Sequence, residues 1–105
     1  MAISASEVRS PVAIAVSIGV DTLSVELDDG RTIVVPLAWY PRLLYATPSE
    51  RATYRLIGKG SGIHWPDIEE DIRVEALLSG GASAESAASL KRWLASRSST
   101  TRSSI

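Results

Sequence analysis

The sequence predicts an α+β domain, an antiparallel β-meander and hairpin packed with short helices and followed by a C-terminal amphipathic helix. Three observations carry that prediction. Residues 12–18 alternate large and small side chains. Residues 23–35 form two alternating runs around Asp28-Asp29-Gly30. Residues 81–96 place apolar positions at helical spacing behind Gly80-Gly81.

In the first run, Val12, Ile14, Val16 and Ile18 alternate with Ala13, Ala15 and Ser17, a period of two that puts the large side chains on one strand face. The same stretch, "VAIAVSIGV", falls short of the roughly 20 apolar residues that a bilayer span requires. Glu7 and the lack of an A-x-A-like site argue against a secretory leader. In the hairpin, a two-residue turn would set Ile33 and Val35 on the face opposite Leu23 and Val25. A three-residue loop with Gly30 left-handed instead pairs Val25 with Ile33 and Leu23 with Val35, and keeps all four together.

Pro36 closes the second hairpin strand, and "AWYPRLLYA" reads as a short helix with Pro41 in its first turn. Thr47-Pro48-Ser49-Glu50 is a helix start: an N-cap threonine, proline at the first helical position and a glutamate completing a capping box. The helix predicted from it runs over residues 48–57, with Ala52 and Leu56 inward, Arg51 and Arg55 outward and Gly58 as its stop. Residues 63–65 read as a short strand and residues 71–80 as the last core segment. In the C-terminal helix Ala87, Leu90 and Leu94 share one stripe with Trp93 at its edge. The organisation is thus a body over residues 1–80, a helix over 81–96, and a Ser/Thr/Arg tail over 97–105 whose composition predicts disorder.

A chain of 105 residues makes one domain, and it has no cysteine, which removes thiol nucleophiles, thiolate zinc sites and redox motifs. The same absence fits a cytoplasmic protein. A net charge of −1 supplies no global field for nucleic acid or an anionic membrane.

Chemistry concentrates in residues 57–72, "IGKGSGIHWPDIEEDI". Its glycines do not make a phosphate loop: Lys59 precedes Gly60 where the Walker pattern has it after the last glycine, and Ile63 takes the third glycine position of the dinucleotide fingerprint. Asp67, Glu69 and Asp71 have calcium-loop spacing, but Ile72 and Leu78 stand where that loop needs glycine and a bidentate glutamate. One histidine without cysteine is a poor zinc set. No metal or cofactor is therefore expected. His64 with Asp67 or Asp71 is the candidate acid–base group, although strand geometry turns His64 away from Ile63 and Trp65. A basic stripe with Trp39 and Tyr45 is the nucleic-acid alternative, with Arg51 and Arg55 carrying the phosphate contacts.

Residues 29–80 carry a further pattern: Asp29-Gly30-Arg31, Pro36, Trp39, Pro41-Arg42-Leu43, Glu50-Arg51, Ile63-His64-Trp65-Pro66 and Asp71-Ile72. This resembles a small bacterial family known as domain of unknown function 2442, with Glu69 where the family more often has aspartate. The resemblance implies an α+β domain with no established activity, and a neighbouring small gene of the kind that has prompted toxin–antitoxin-like proposals. Some relatives join the domain to a helix-turn-helix unit, for which the single helix after Gly81 is too little. The expectation is a non-enzymatic interaction domain with a protein partner or a second copy of itself. Its candidate docking residues are Trp39, Arg42, Arg51, Arg55, Leu90, Trp93 and Leu94.

Overall fold

The computed structural model describes residues 10–83 and 85–103. Two three-stranded antiparallel sheets carry the α+β fold, each a meander in chain order. The first is β1 (Ala13–Ile18), β2 (Thr22–Leu27) and β3 (Thr32–Pro36); the second is β4 (Arg55–Ile57), β5 (Gly62–Trp65) and β6 (Glu70–Arg73). Between them run two short helices, α1 (Pro41–Leu44) and α2 (Pro48–Ala52), and after them α3 (Val74–Leu78) and α4 (Ala87–Ser103).

The β2–β3 hairpin has the register predicted from burial: Val25 faces Ile33 and Leu23 faces Val35. The Leu27 N–H donates to the Arg31 carbonyl at 2.8 Å, and Gly30, at φ +96°, closes the three-residue loop. Strand β1 departs from simple alternation. Its register against β2 shifts between Ala13 and Ala15, leaving Ile14 as the extra residue of a β-bulge. Ala13 therefore turns into the core and Ile14 turns out to 58% exposure, while Val16 and Ile18 keep facing Val25 and Leu23. The turn between β4 and β5 packs against this part of the strand. Gly60, at φ +94°, presses so close to β1 that a Cβ on it would lie 2.6 Å from the Ala13 carbonyl oxygen.

Helix α2 starts as predicted, with both halves of the capping box made: the Thr47 hydroxyl accepts from the Glu50 N–H, and the Glu50 carboxylate accepts from the Thr47 N–H. It does not run to residue 57. It stops at Ala52, and Arg55–Ile57 is strand β4, paired with β5. Ala52 is exposed and Leu56 is 36% exposed, so neither is the inward residue of a helical stripe. Thr53-Tyr54-Arg55-Leu56-Ile57 is rich in β-branched, aromatic and aliphatic residues, and the edge of β5 supplies the ladder that tips the segment to strand. Tyr54 meanwhile packs its ring 6.1 Å from that of Trp65.

Trp65 is wholly buried, and its indole N–H donates to the Arg51 carbonyl at 3.0 Å. Ile63 and Ile72 pair across β5 and β6 beneath it, and Val74 and Leu77 of α3 close the core. The Ser89 N–H takes the Ser86 hydroxyl as the cap of α4. The inward face of that helix is Ser89, Trp93 and Arg97, with Leu90 and Leu94 half-buried beside them; Ala87, assigned to the stripe from sequence, is exposed. The helix also passes Ser96, where composition suggested its end, and continues to Ser103. The expectations for residues 1–9, 104 and 105 lie outside the described residues.

Gly30 and Gly60 share positive φ but not surroundings, since nothing lies within 4 Å of a Cβ added at Gly30. Gly30→Ala should cost about 1 kcal/mol, the penalty of a left-handed alanine. Gly60→Ala should cost on the order of 1–3 kcal/mol more, because the Ala13 backbone cannot retreat without disturbing β1. Urea unfolding of the two variants measures the difference; equal losses would show that the contact does not join the sheets.

Candidate functional site

Of the acid–base candidates, strand alternation places His64 from sequence alone. On β5, Ile63 and Trp65 point into the core and His64 points to the opposite face, as strand alternation requires. There His64 stands between Arg55 of β4 and Asp71 of β6, in a row of three directly opposed positions. The His64 Nδ1 and the Asp71 carboxylate are hydrogen-bonded. Asp67 lies exposed in the turn before β6, and no hydrogen bond or ion pair joins it to His64. The structure thus brings together two of the three residues, on the outer face of a sheet. Among the described residues no three His, Cys, Asp or Glu side chains converge in a metal-binding group.

The docking candidates Trp39, Arg42 and Trp93 are committed to the body instead. Trp39 is half-buried on the core, and its carbonyl accepts the Ser83 N–H at 2.9 Å. Arg42 grips both oxygens of Glu85, at 2.8 and 2.9 Å, and sends its remaining terminal nitrogen to the Ile68 carbonyl at 2.9 Å. Its guanidinium carbon lies 5.1 Å from the centre of the Trp93 ring, and that of Arg97 lies 4.6 Å from the same ring. Arg97 in turn forks onto Glu50 at 2.8 and 2.9 Å, and Ser89 donates to Glu85 at 2.6 Å. Trp93, packed against the core, is thus in contact with two arginines, each locked by a carboxylate. Helix α4 is clasped to its own body.

Sequence reasoning did not single out Glu70, Glu85 or Arg97. A signal was present for two of them: Glu85, Ser89, Trp93 and Arg97 are each four residues apart and share one helical face. The electrostatics follow the contacts. The Arg42 guanidinium holds the Glu85 carboxyl below its ordinary range, and Arg97 does the same to Glu50. Glu70, buried at 9% exposure, is pushed up to about 7, first by desolvation and then by the charge of Glu85, against the pull of Arg42. Burial and the nearby Glu70 raise the Tyr40 hydroxyl as well. One arginine therefore serves a buried carboxylate, Glu70, and a half-buried one, Glu85.

Arg51 is tied differently. Its Nε donates to the Leu43 carbonyl at 2.9 Å and one terminal nitrogen to the Leu44 carbonyl at 2.8 Å, capping the end of α1. It also forms part of the wall of a groove of about 340 Å³, lined by Val16, Ser17 and Ile18 of β1, Pro48, Arg51 and Ala52 of α2, and Tyr54. Strand β1 is an edge of its sheet. Leu27 bonds towards β3 and Gly19 bonds to Thr22, so the alternation of an antiparallel ladder turns the backbone groups of Val16 and Ile18 away from β2, into the groove. The Val16 carbonyl meets the Tyr54 hydroxyl there at 3.3 Å. Leu90 and Leu94 are half-buried on α4, and Arg55 stays exposed on β4.

The comparisons with known proteins agree on fold. A family model described as "Protein of unknown function (DUF2442)" matches residues 13–83. A crystal structure of a protein of unknown function from Rhodospirillum rubrum superposes with a TM-score of 0.63 at 22% identity, covering 73% of this chain and 95% of that one. The solution structure of the uncharacterized protein CV0863 from Chromobacterium violaceum gives a TM-score of 0.60 at 20% identity, covering 82% and 75%. No curated protein matches.

The clasp makes two measurable predictions. Arg42→Ala leaves Glu85 and Glu70 without their cation and should cost about 3–5 kcal/mol. Arg97→Ala opens a pair with more access to water and should cost roughly 1 kcal/mol in the same chemical denaturation series. Between the ordinary carboxylate value and about 7 the native state holds a proton on Glu70 that the unfolded chain has released. Glu70 therefore lowers stability as pH rises through that window, and its full penalty stands above it. Glu50 and Glu85 act with opposite sign, and only below the ordinary carboxylate range. Melting temperature should fall between pH 5 and about pH 8 in the wild type, and Glu70→Gln should flatten that fall.

Proposed function

The chain belongs to the DUF2442 family, matched over residues 13–83, and from that premise we propose that it is a non-enzymatic protein–protein interaction domain whose docking site is the β1 edge groove. The observation that carries this reading is the open strand edge at Val16 and Ile18, facing an apolar wall made by α2 and Tyr54. An edge whose backbone groups meet no neighbouring strand among the described residues, beside an apolar wall, suits β-strand addition, in which the main chain supplies affinity and the wall selects side chains. Support also comes from what the other candidates do. Arg42 is spent on Glu85 and Ile68, and Arg51 spends two of its three nitrogens on α1 carbonyls, which weakens the basic stripe that nucleic-acid binding would need and leaves Arg55 as its exposed member. His64 and Asp71 sit on an open sheet face and not in the groove.

The partner in this reading is the product of the neighbouring small gene, as one half of a toxin–antitoxin-like pair acting in the cytoplasm. The lack of cysteine supports that compartment. No helix among the described residues is long and apolar enough to cross a membrane. Co-expression with the neighbour's product should give a stoichiometric complex by size exclusion and light scattering. Ala52→Arg, which fills the groove from an exposed position, should abolish that complex while leaving the circular dichroism spectrum unchanged. A monomer indifferent to the neighbour, or a complex that Ala52→Arg leaves intact, would sink the reading.

A further inference from the structure

Three features of the edge groove specify the chemistry of what fits it. Its strand edge is short: among the described residues the backbone groups turned out of the ladder belong to Val16 and Ile18, so an added strand of about four or five residues, at ~3.4 Å each, covers it. Its walls are largely apolar, from the side chains of Val16, Ile18, Pro48, Ala52 and the Tyr54 ring. The Tyr54 hydroxyl bonds the Val16 carbonyl at 3.3 Å, near the limit for such a bond, and holds the place an incoming N–H would take.

The third feature is charge. Arg31, Arg42, Arg73 and Arg97 each pair with a carboxylate of the chain. Arg51 bonds two carbonyl oxygens through Nε and one terminal nitrogen, and its other terminal nitrogen makes no hydrogen bond to a described residue. A half-buried guanidinium with a spare pair of N–H donors at an apolar wall is complementary to a carboxylate, the acceptor whose charge and spacing match it.

We propose that the edge groove binds a short extended peptide, apolar on the side chains that face the wall, whose carboxylate meets the free edge of the Arg51 guanidinium. This rests on the interaction reading above and assigns its ligand class. The peptide backbone continues the sheet along Val16–Ile18, displacing the Tyr54 hydroxyl, and Arg51 fixes direction and register.

The test uses the full chain, labelled with nitrogen-15, and two probe peptides of one sequence, acetyl-Val-Thr-Val-Thr-Val. One carries a free C-terminal carboxylate and the other a C-terminal amide. The acid form should shift the amide signals of Val16, Ser17 and Ile18 and the Arg51 Nε–H, and the amide form should bind about tenfold more weakly. Arg51→Gln should erase that difference. Because this variant also loosens the end of α1, the comparison of the two peptides on wild-type protein is decisive. Equal binding of both forms would overturn the carboxylate assignment while leaving strand addition standing. No shift at β1 with either form would overturn the inference, whereas the interaction reading itself stands or falls with the neighbour complex.

Discussion

The Arg42 guanidinium is the interaction on which the remainder of the body depends. It lies on α1, yet it reaches the Ile68 carbonyl ahead of β6, the Glu85 carboxylate ahead of α4 and the face of Trp93 within α4. Taking such a group out of water costs several kcal/mol unless its donors find acceptors. Here Nε and both terminal nitrogens do. Glu70 makes the arrangement tighter, since a second carboxylate sits within electrostatic reach of the same cation without a hydrogen bond to it. The low-dielectric interior strengthens every member of this set and penalises any that loses its counterpart. The clasp also explains why α4, too polar to be held by an apolar stripe alone, lies on the body: Trp93 supplies the apolar area, and Arg42 and Arg97 fix its place.

The two sheets meet unequally, and the groove is the consequence. The turn at Gly60 covers the start of β1 at Ala13, and that contact accompanies the bulge at Ile14. Farther along, the tip of Tyr54 reaches the strand. Strand β4 is three residues long and pairs with β5, so nothing in the second sheet is placed to extend the ladder of β1 beyond its first half. The outcome is an edge that is protected at one end and open at Val16 and Ile18, beside a helix that carries Arg51. Such edges are normally blunted by charge, proline or cover. This one is bordered by Pro48 and by Tyr54, whose hydroxyl reaches the Val16 carbonyl.

What sequence alone determined about this protein is what depends on neighbours along the chain. Asp29-Gly30 set the hairpin loop, and the pattern of Leu23, Val25, Ile33 and Val35 set its register, because a slip of one residue would carry a buried set into water. Thr47 and Glu50 announced α2, Ile63 and Trp65 announced the face of β5, and the motifs within residues 29–80 were enough to identify the family. Tertiary structure decided the elements whose stability is borrowed from distant partners. Residues 55–57 are a strand because β5 offers them a ladder, and Ile14 is exposed because the bulge where β1 meets the Gly60 turn swings it outward. Arg42 and Trp93 stabilise the fold instead of standing free because Arg42 meets both Glu85 and the Trp93 ring from more than 40 residues away. His64 lies on an open face for the same reason: alternation settles which side of a strand a residue takes, and only the packing of the sheets settles whether that side is a pocket.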